Sequence, residues 1–77
     1  MVNTALIKRI NTERTIPLDR YREEGAESRY EYLVNLAEYN GISLDMIFTM
    51  MDVLGPDEDF DGLLSMIEDY SMMGGLE

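Results

Sequence analysis

The sequence predicts an all-α fold: a compact three-helix domain, or a four-helix one if the N-terminal segment is helical too. Two observations predict it. Helix-starting residues (serine or proline) and helix-ending glycines divide residues 28–72 into three segments. Within each segment, apolar residues recur at the spacing of a helix. Because the connections would be only a few residues long, we expect the helices to pack against one another.

The chain of 77 residues is expected to form one domain, 1–77. It would comprise an N-terminal segment or arm (1–27), a helical body (28–72) and a flexible tail (74–77) whose end is typical of a cloning remnant. No apolar stretch approaches the roughly 20 residues of a membrane span, and the first residues lack the architecture of a signal peptide. We therefore expect a cytoplasmic protein.

The N-terminal segment allows two interpretations. Asn3 could cap a short helix that extends to Ile10. Alternatively, residues 5–10 could pair as a strand with residues 15–18, although Pro17 would restrict that strand to a sheet edge. We expect the short helix, followed by an irregular arm.

The first helix of the body has clear signals at both ends. Ser28 and Glu31 have the spacing of a capping box, in which the hydroxyl and the carboxylate each accept a backbone N–H. The helix should continue to about Asn40. Gly41 suits the left-handed position that ends a helix, and Ile42 can then pack back onto the last turn.

The next two helices follow directly. Ser43 is expected to cap the second helix, which Gly55 would close. Pro56 suits the first position of a third helix, which we expect to continue without a break to Tyr70 or Met72.

The helix faces predict what is buried. In the last helix the apolar face is Phe60, Leu63, Leu64, Ile67 and Tyr70, and the polar face is Asp57, Asp61, Ser65 and Glu68. The two preceding helices are apolar on nearly all sides, which three short helices cannot cover among themselves. Because a small domain buries only about 60 % of its chain's surface, we expect a homodimer; the alternative is a monomer covered by its own N-terminal arm.

The charge is unevenly distributed. The first 29 residues hold all six basic residues and five acids, which sum to +1, whereas residues 30–77 hold 11 acids and no base, giving the net charge of −10. Direct binding to nucleic acid or to an anionic membrane is disfavoured, because both are negatively charged. The chain has no histidine, no cysteine and no phosphate-loop or nucleophile motif. We therefore expect no catalytic residue, no cofactor and no enzymatic activity.

Residues 57–68 resemble the calcium loop of the EF-hand family. Oxygen-bearing side chains occur at loop positions 1, 3, 5, 9 and 12, and Gly62 occurs at position 6. The resemblance implies calcium binding, with Asp57, Asp59, Asp61, Ser65 and Glu68 as side-chain ligands. The same acids also fit the surface of a helix that begins at Pro56, and this interpretation needs no metal.

The sequence is best interpreted as a non-catalytic protein-interaction module. Methionine suits adaptable binding surfaces, and the apolar helix faces exceed what a small core needs. The candidate partner-binding residues are Met46, Met50, Tyr32, Tyr39, Asp45, Asp52, Asp57 and Asp61.

The alternative function is inhibition of a nucleic-acid-binding protein by mimicry of nucleic acid. Acids four apart on a helix stand about 6 Å from one another, which is comparable to the phosphate spacing of a backbone. The candidate rows are Asp57, Asp61 and Glu68, then Asp45 and Asp52, then Glu31 and Glu38. In composition the chain is similar to small acidic inhibitors from phages and mobile elements.

Overall fold

The structure, a computed structural model, describes residues 4–74, with the side chains of residues 4–70. Five α-helices follow one another along the chain, and a short 3-10 helix, Pro56–Glu58, precedes the last of them. The helices are α1 (Thr4–Thr12), α2 (Leu18–Glu23), α3 (Arg29–Asn40), α4 (Leu44–Leu54) and α5 (Gly62–Gly74). No strand occurs in the part of the chain that is described, so the predicted all-α fold is confirmed.

The N-terminal segment contains two helices, α1 and α2. The short helix expected there is α1, so the alternative in which residues 5–10 form a strand is wrong; the proposed cap, Asn3, lies outside the described residues. The expectation of an irregular arm after it is also wrong, because Pro17 is followed by the two-turn helix α2. Gly25, at φ 83°, ends this turn, and the Ala26 N–H donates back to the Tyr21 carbonyl oxygen at 3.0 Å.

The predicted ends of α3 are confirmed. The Ser28 hydroxyl accepts a hydrogen bond from the Glu31 N–H at 3.1 Å. The Glu31 carboxylate accepts from the N–H of Glu27 at 2.7 Å, one residue earlier than a capping box would have it. At the other end Gly41 is left-handed, with φ 66°, and the Ile42 N–H donates to the last turn of α3.

The predicted ends of α4 are confirmed as well. The Ser43 hydroxyl accepts from the Met46 N–H at 3.2 Å. After Leu54, the N–H of Gly55 closes the helix on the Met51 carbonyl oxygen at 2.8 Å.

The segment between α4 and α5 corrects the prediction of one continuous third helix. The 3-10 helix that starts at Pro56 ends at Glu58, and α5 begins only at Gly62, whose N–H donates to the Glu58 carboxylate at 3.1 Å. The break turns Asp59 into the core, where its side chain meets Arg29. A regular helix from Pro56 would lack this turn, so the buried ion pair explains the interruption.

The core lies around α3 and α4, which pack against each other. Helices α1 and α2 cover α3, while α5 and the 3-10 helix cover α4. The N-terminal segment contributes to the core directly, because Ile10 and Tyr21 are fully buried. Large apolar side chains that remain exposed among the described residues are Tyr39, Val53, Leu64 and Tyr70. The prediction that Leu64 belongs to the buried face is therefore wrong, whereas Leu63 and Ile67 are buried as predicted.

Candidate partner-binding surface

A buried polar network fixes the surface around α2 and α3. Arg29 donates from Nε to Asp59 Oδ2 at 2.6 Å and from Nη2 to Asp59 Oδ1 at 3.1 Å. The Tyr21 hydroxyl donates to the same Asp59 Oδ2 at 2.7 Å, and the Tyr32 hydroxyl donates to the Asp59 carbonyl oxygen at 2.9 Å. Arg29 Nη1 also donates to the Ile10 carbonyl oxygen at 3.2 Å. This network joins α1, α2, α3 and the turn before α5 around the Asp59 carboxylate and the Arg29 guanidinium.

Burial changes the acidity of both tyrosines in this network. Burial is the main cause that raises the pKa of Tyr21 above its ordinary value, and the hydrogen bond to Asp59 and the charge of that carboxylate raise it further. The pKa of Tyr32 is raised as well, by burial first and by the Asp59 charge second. Both phenols therefore remain neutral donors, which is the form that the network requires.

An aromatic cluster of Tyr21, Tyr32 and Phe60 lies beside the network. Ring centroids are 5.3 Å apart for Tyr21 and Tyr32, 4.9 Å for Tyr21 and Phe60, and 4.6 Å for Tyr32 and Phe60. Such centroid distances are typical of favourable aromatic pairs. Two rings of the cluster also line surface grooves: Tyr32 lines one groove and Phe60 lines another.

One of these grooves, which we call the Tyr39 groove, runs along α3. Its lining residues are Glu24, Tyr32, Asn35, Leu36 and Tyr39, and its volume is about 380 Å³. Tyr32 is only 4 % exposed, whereas Tyr39 at the rim is 90 % exposed. Positions 32, 36 and 39 follow the helical repeat, so one stripe of α3 supplies the groove's apolar side chains.

The structure separates the candidate partner-binding residues into three groups. Met50 and Tyr32 are buried, and Met46 is half-buried against the core, so the methionines of α4 do not form an open binding surface. Tyr39 is exposed on α3. The exposed acids are Asp45, Asp52, Asp57 and Asp61.

Two of those acids have contacts with the N-terminal segment. Asp52 pairs with Arg9 at 3.2 Å, and Asp57 accepts a hydrogen bond from the Thr15 hydroxyl. Among the ion pairs of the described residues, only two include an acid beyond residue 29, namely Asp52 and Asp59. The other ion pairs lie within the first 29 residues. The acids of α3 to α5 therefore face solvent largely uncompensated.

The acids of residues 57–68 do not form a calcium loop in this fold. Asp59, which the EF-hand resemblance makes a ligand, is fully buried and bound to Arg29 and Tyr21. Across the described part of the chain, no group of three or more acidic side chains is close enough to hold a metal ion. The acids are instead separate charges, carried by the 3-10 helix, the following turn and α5.

The structural role of Arg29 and its pairing with Asp59 could not be predicted from the sequence. Arg29 counted as one of six basic residues, and Asp59 as one of several surface acids; their separation of 30 positions gave no local signal. The spacing of Tyr32, Leu36 and Tyr39 is that of one flank of a helix, but this spacing does not indicate which of them is exposed.

No protein-family model matches the sequence, and no match was found among curated proteins or solved structures. None of the helices in the described residues is long and apolar enough to cross a membrane. The function of the chain has to be inferred from its geometry.

Proposed function

We propose that this chain is a non-catalytic protein-binding module that receives its partner at the Tyr39 groove. The observation that carries the proposal is the 90 % exposure of Tyr39 at the rim of a groove that Leu36 and the Tyr32 ring help to line. A tyrosine ring can bury about 150–250 Å² on binding. Tyrosine is also among the residues that most often dominate interface energies.

The charge of the chain favours a basic partner. Glu38, Asp45 and Glu68 are exposed on α3, α4 and α5, and none of them has an ion pair among the described residues. A surface of one sign steers an oppositely charged protein toward it and disfavours acidic competitors. We therefore propose that the partner presents a basic surface with an apolar side chain that enters the groove.

The test compares two substitutions that add the same negative charge. Tyr39→Asp removes the exposed ring at the groove, and Val53→Asp changes another exposed apolar position, on α4, which is 72 % exposed. Each variant would be expressed in cells with an affinity tag and purified together with its bound partner. Mass spectrometry would then quantify the partner recovered. We expect Tyr39→Asp to lower recovery of the partner by about tenfold or more, as loss of a dominant interface residue does, and Val53→Asp to leave it unchanged. Equal recovery with Tyr39→Asp would contradict the proposal.

Nucleic-acid mimicry is the second candidate, and the uncompensated acids favour it. Glu31 and Glu38 share α3, and Asp45 and Asp52 share α4, although the third candidate row is divided among the 3-10 helix, a turn and α5. This function predicts capture of a nucleic-acid-binding protein that weakens steeply with salt and does not depend on Tyr39. Capture that depends on Tyr39 and persists at high salt would favour the groove instead.

Self-association is a separate proposal. A homodimer was expected because apolar helix faces exceeded what three helices could cover, and Ile10 and Tyr21 of the N-terminal segment now occupy part of that space. A homodimer would have to use exposed side chains such as Tyr39 and Val53. Sedimentation equilibrium at micromolar concentration would decide it, because a single species of 8.9 kDa would rule the dimer out.

A further inference from the structure

We infer that a second groove, lined in part by α2, binds an arginine side chain of the partner. This Phe60 groove has a volume of about 470 Å³, and both apolar and acidic side chains line it. Its lining comprises Ile16, Pro17 and Phe60, the acids Asp19, Glu23, Asp57 and Asp61, and Arg20. The inference rests on the proposed function, since it names the chemistry that a protein partner would present.

The chain itself shows that this groove accepts a guanidinium. Arg20 lies with its Cζ 4.3 Å from the centroid of the Phe60 ring, a cation–π contact. Its Nη1 is 3.1 Å from Glu24 Oε2 and 3.6 Å from Glu23 Oε1. On this side of the groove, one guanidinium is thus stacked on an aromatic ring and paired with carboxylates.

The opposite side has the carboxylates without the cation. Asp57 and Asp61 are exposed, and neither is paired with a lysine or an arginine among the described residues. Asp57 accepts only the neutral hydroxyl of Thr15 among the described side chains. A second guanidinium could pair with these two acids while its methylene stem lies against Ile16 and Pro17. The pairing of one guanidinium with two carboxylates, which Arg20 shows, would then be repeated by a residue of the partner.

Arginine fits this side better than a metal ion or a lysine. The acids of the described residues are too dispersed to coordinate one ion. A guanidinium is planar, offers several donors to separate carboxylates and stacks on apolar or aromatic surface, whereas an ammonium is a compact and strongly hydrated point charge. The occupant we infer is therefore an arginine-containing segment of the partner.

The test uses a synthetic peptide with two arginines separated by glycine and serine, capped at both ends. Its analogues carry lysine or citrulline at the same positions, and citrulline keeps the shape of arginine without its charge. Binding to the full chain would be followed by calorimetry and by the backbone amide shifts of the protein. We expect affinity to fall from arginine to lysine to citrulline, with the largest shifts in residues 16–23 and 57–61.

Matched variants separate the groove from bulk charge. Asp57→Asn with Asp61→Asn removes two charges from the groove, and Glu27→Gln with Asp69→Asn removes two exposed charges elsewhere. We expect the first pair of substitutions to weaken binding of the arginine peptide at least about fivefold, and the second pair to weaken it less than about twofold. Charges that pair directly with the peptide contribute more to its affinity than distant, screened charges. All four positions are exposed, so thermal unfolding should confirm that both variants fold.

Three results would overturn the inference: no binding of the arginine peptide, equal binding of the lysine or citrulline peptide, or equal weakening by the two variant pairs. These failures are distinguishable from failure of the proposed function, which depends on Tyr39. If partner capture still requires Tyr39 while the arginine peptide does not bind, the module remains and only the arginine site is lost.

Discussion

The guanidinium of Arg29 and the carboxylate of Asp59 form a two-contact ion pair in which both side chains are only 1 % exposed. The pair joins the first turn of α3 to the turn before α5, and it also holds the Tyr21 hydroxyl and the Ile10 carbonyl oxygen. Among the described residues, no buried polar side-chain atom lacks a hydrogen-bond partner. A buried pair of this kind is costly to break from one side, because the remaining charge stays without a partner.

Arg29→Met should lower the free energy of unfolding by roughly 3–5 kcal/mol, since it leaves the Asp59 carboxylate buried and unpaired. Urea denaturation would measure the change. The double variant Arg29→Met with Asp59→Leu should lose less free energy of unfolding than the two single variants lose in sum, because it leaves no buried charge without a partner. A single Arg29→Met variant that is as stable as the native chain would contradict the structural role of the pair.

Tyr21→Phe removes the hydrogen bond to the Asp59 carboxylate and keeps the ring in its aromatic cluster. A hydrogen bond to a charged group contributes about 1.5–3 kcal/mol, so stability should fall by that amount. The matched control is Tyr39→Phe, whose hydroxyl belongs to a side chain that is 90 % exposed. It should change stability by less than about 0.5 kcal/mol. Equal effects of the two substitutions in urea denaturation would be inconsistent with the network.

Stability should decline at alkaline pH because of Tyr21 and Tyr32. Both pKa values are raised in the folded protein, above the value near 10 of an unfolded chain. Below a pH of about 10 both states keep the phenol proton; above it only the unfolded state loses it, so stability falls as the pH rises toward the folded-state pKa. Denaturation midpoints measured across this range would show the decline. The double variant Tyr21→Phe with Tyr32→Phe should show a flatter profile, and an unchanged slope would assign the decline to other groups.

The helix caps should each contribute about 1 kcal/mol. Ser28→Ala and Ser43→Ala remove hydroxyls that accept the N–H groups of Glu31 and Met46. Ser65→Ala is the control, because Ser65 is exposed inside α5. Thermal unfolding should show that the first two variants are less stable than the native chain, and that the stability of the control lies within about 0.5 kcal/mol of the native value. A control that loses as much as the caps would show that the losses are not specific to helix ends.

The features that could be predicted from the sequence are those that neighbouring residues determine. Ser28 and Gly41 mark the ends of α3 by local hydrogen bonds and backbone conformation, and both were found where they were expected. The interruption after Pro56 could not be predicted, because it depends on Arg29 meeting Asp59 across 30 positions. Helix α2 was missed for a related reason: its six residues are mostly charged and show too little apolar periodicity.

The candidate surface was predictable only in part. The flank of α3 that carries Tyr32 and Tyr39 was visible in the spacing, but periodicity describes a single helix and not what packs on it. Phe60 of the turn contacts Tyr32, and Tyr32 is buried; two turns along the same helix, Tyr39 is left almost fully exposed. The methionine surface expected on α4 became core instead, because α5 and the 3-10 helix pack against that helix.

Site-specific photo-crosslinking would show whether the partner binds at the Tyr39 groove. A photoreactive phenylalanine derivative would replace Tyr39 in one variant and Val53 in the other, both being exposed positions. We expect the probe at position 39 to crosslink one defined protein and excess unlabelled native chain to compete for that protein. We expect no crosslink to it from the probe at position 53. Equal crosslinking of the same protein from both positions, or no crosslink from position 39, would contradict binding at the Tyr39 groove.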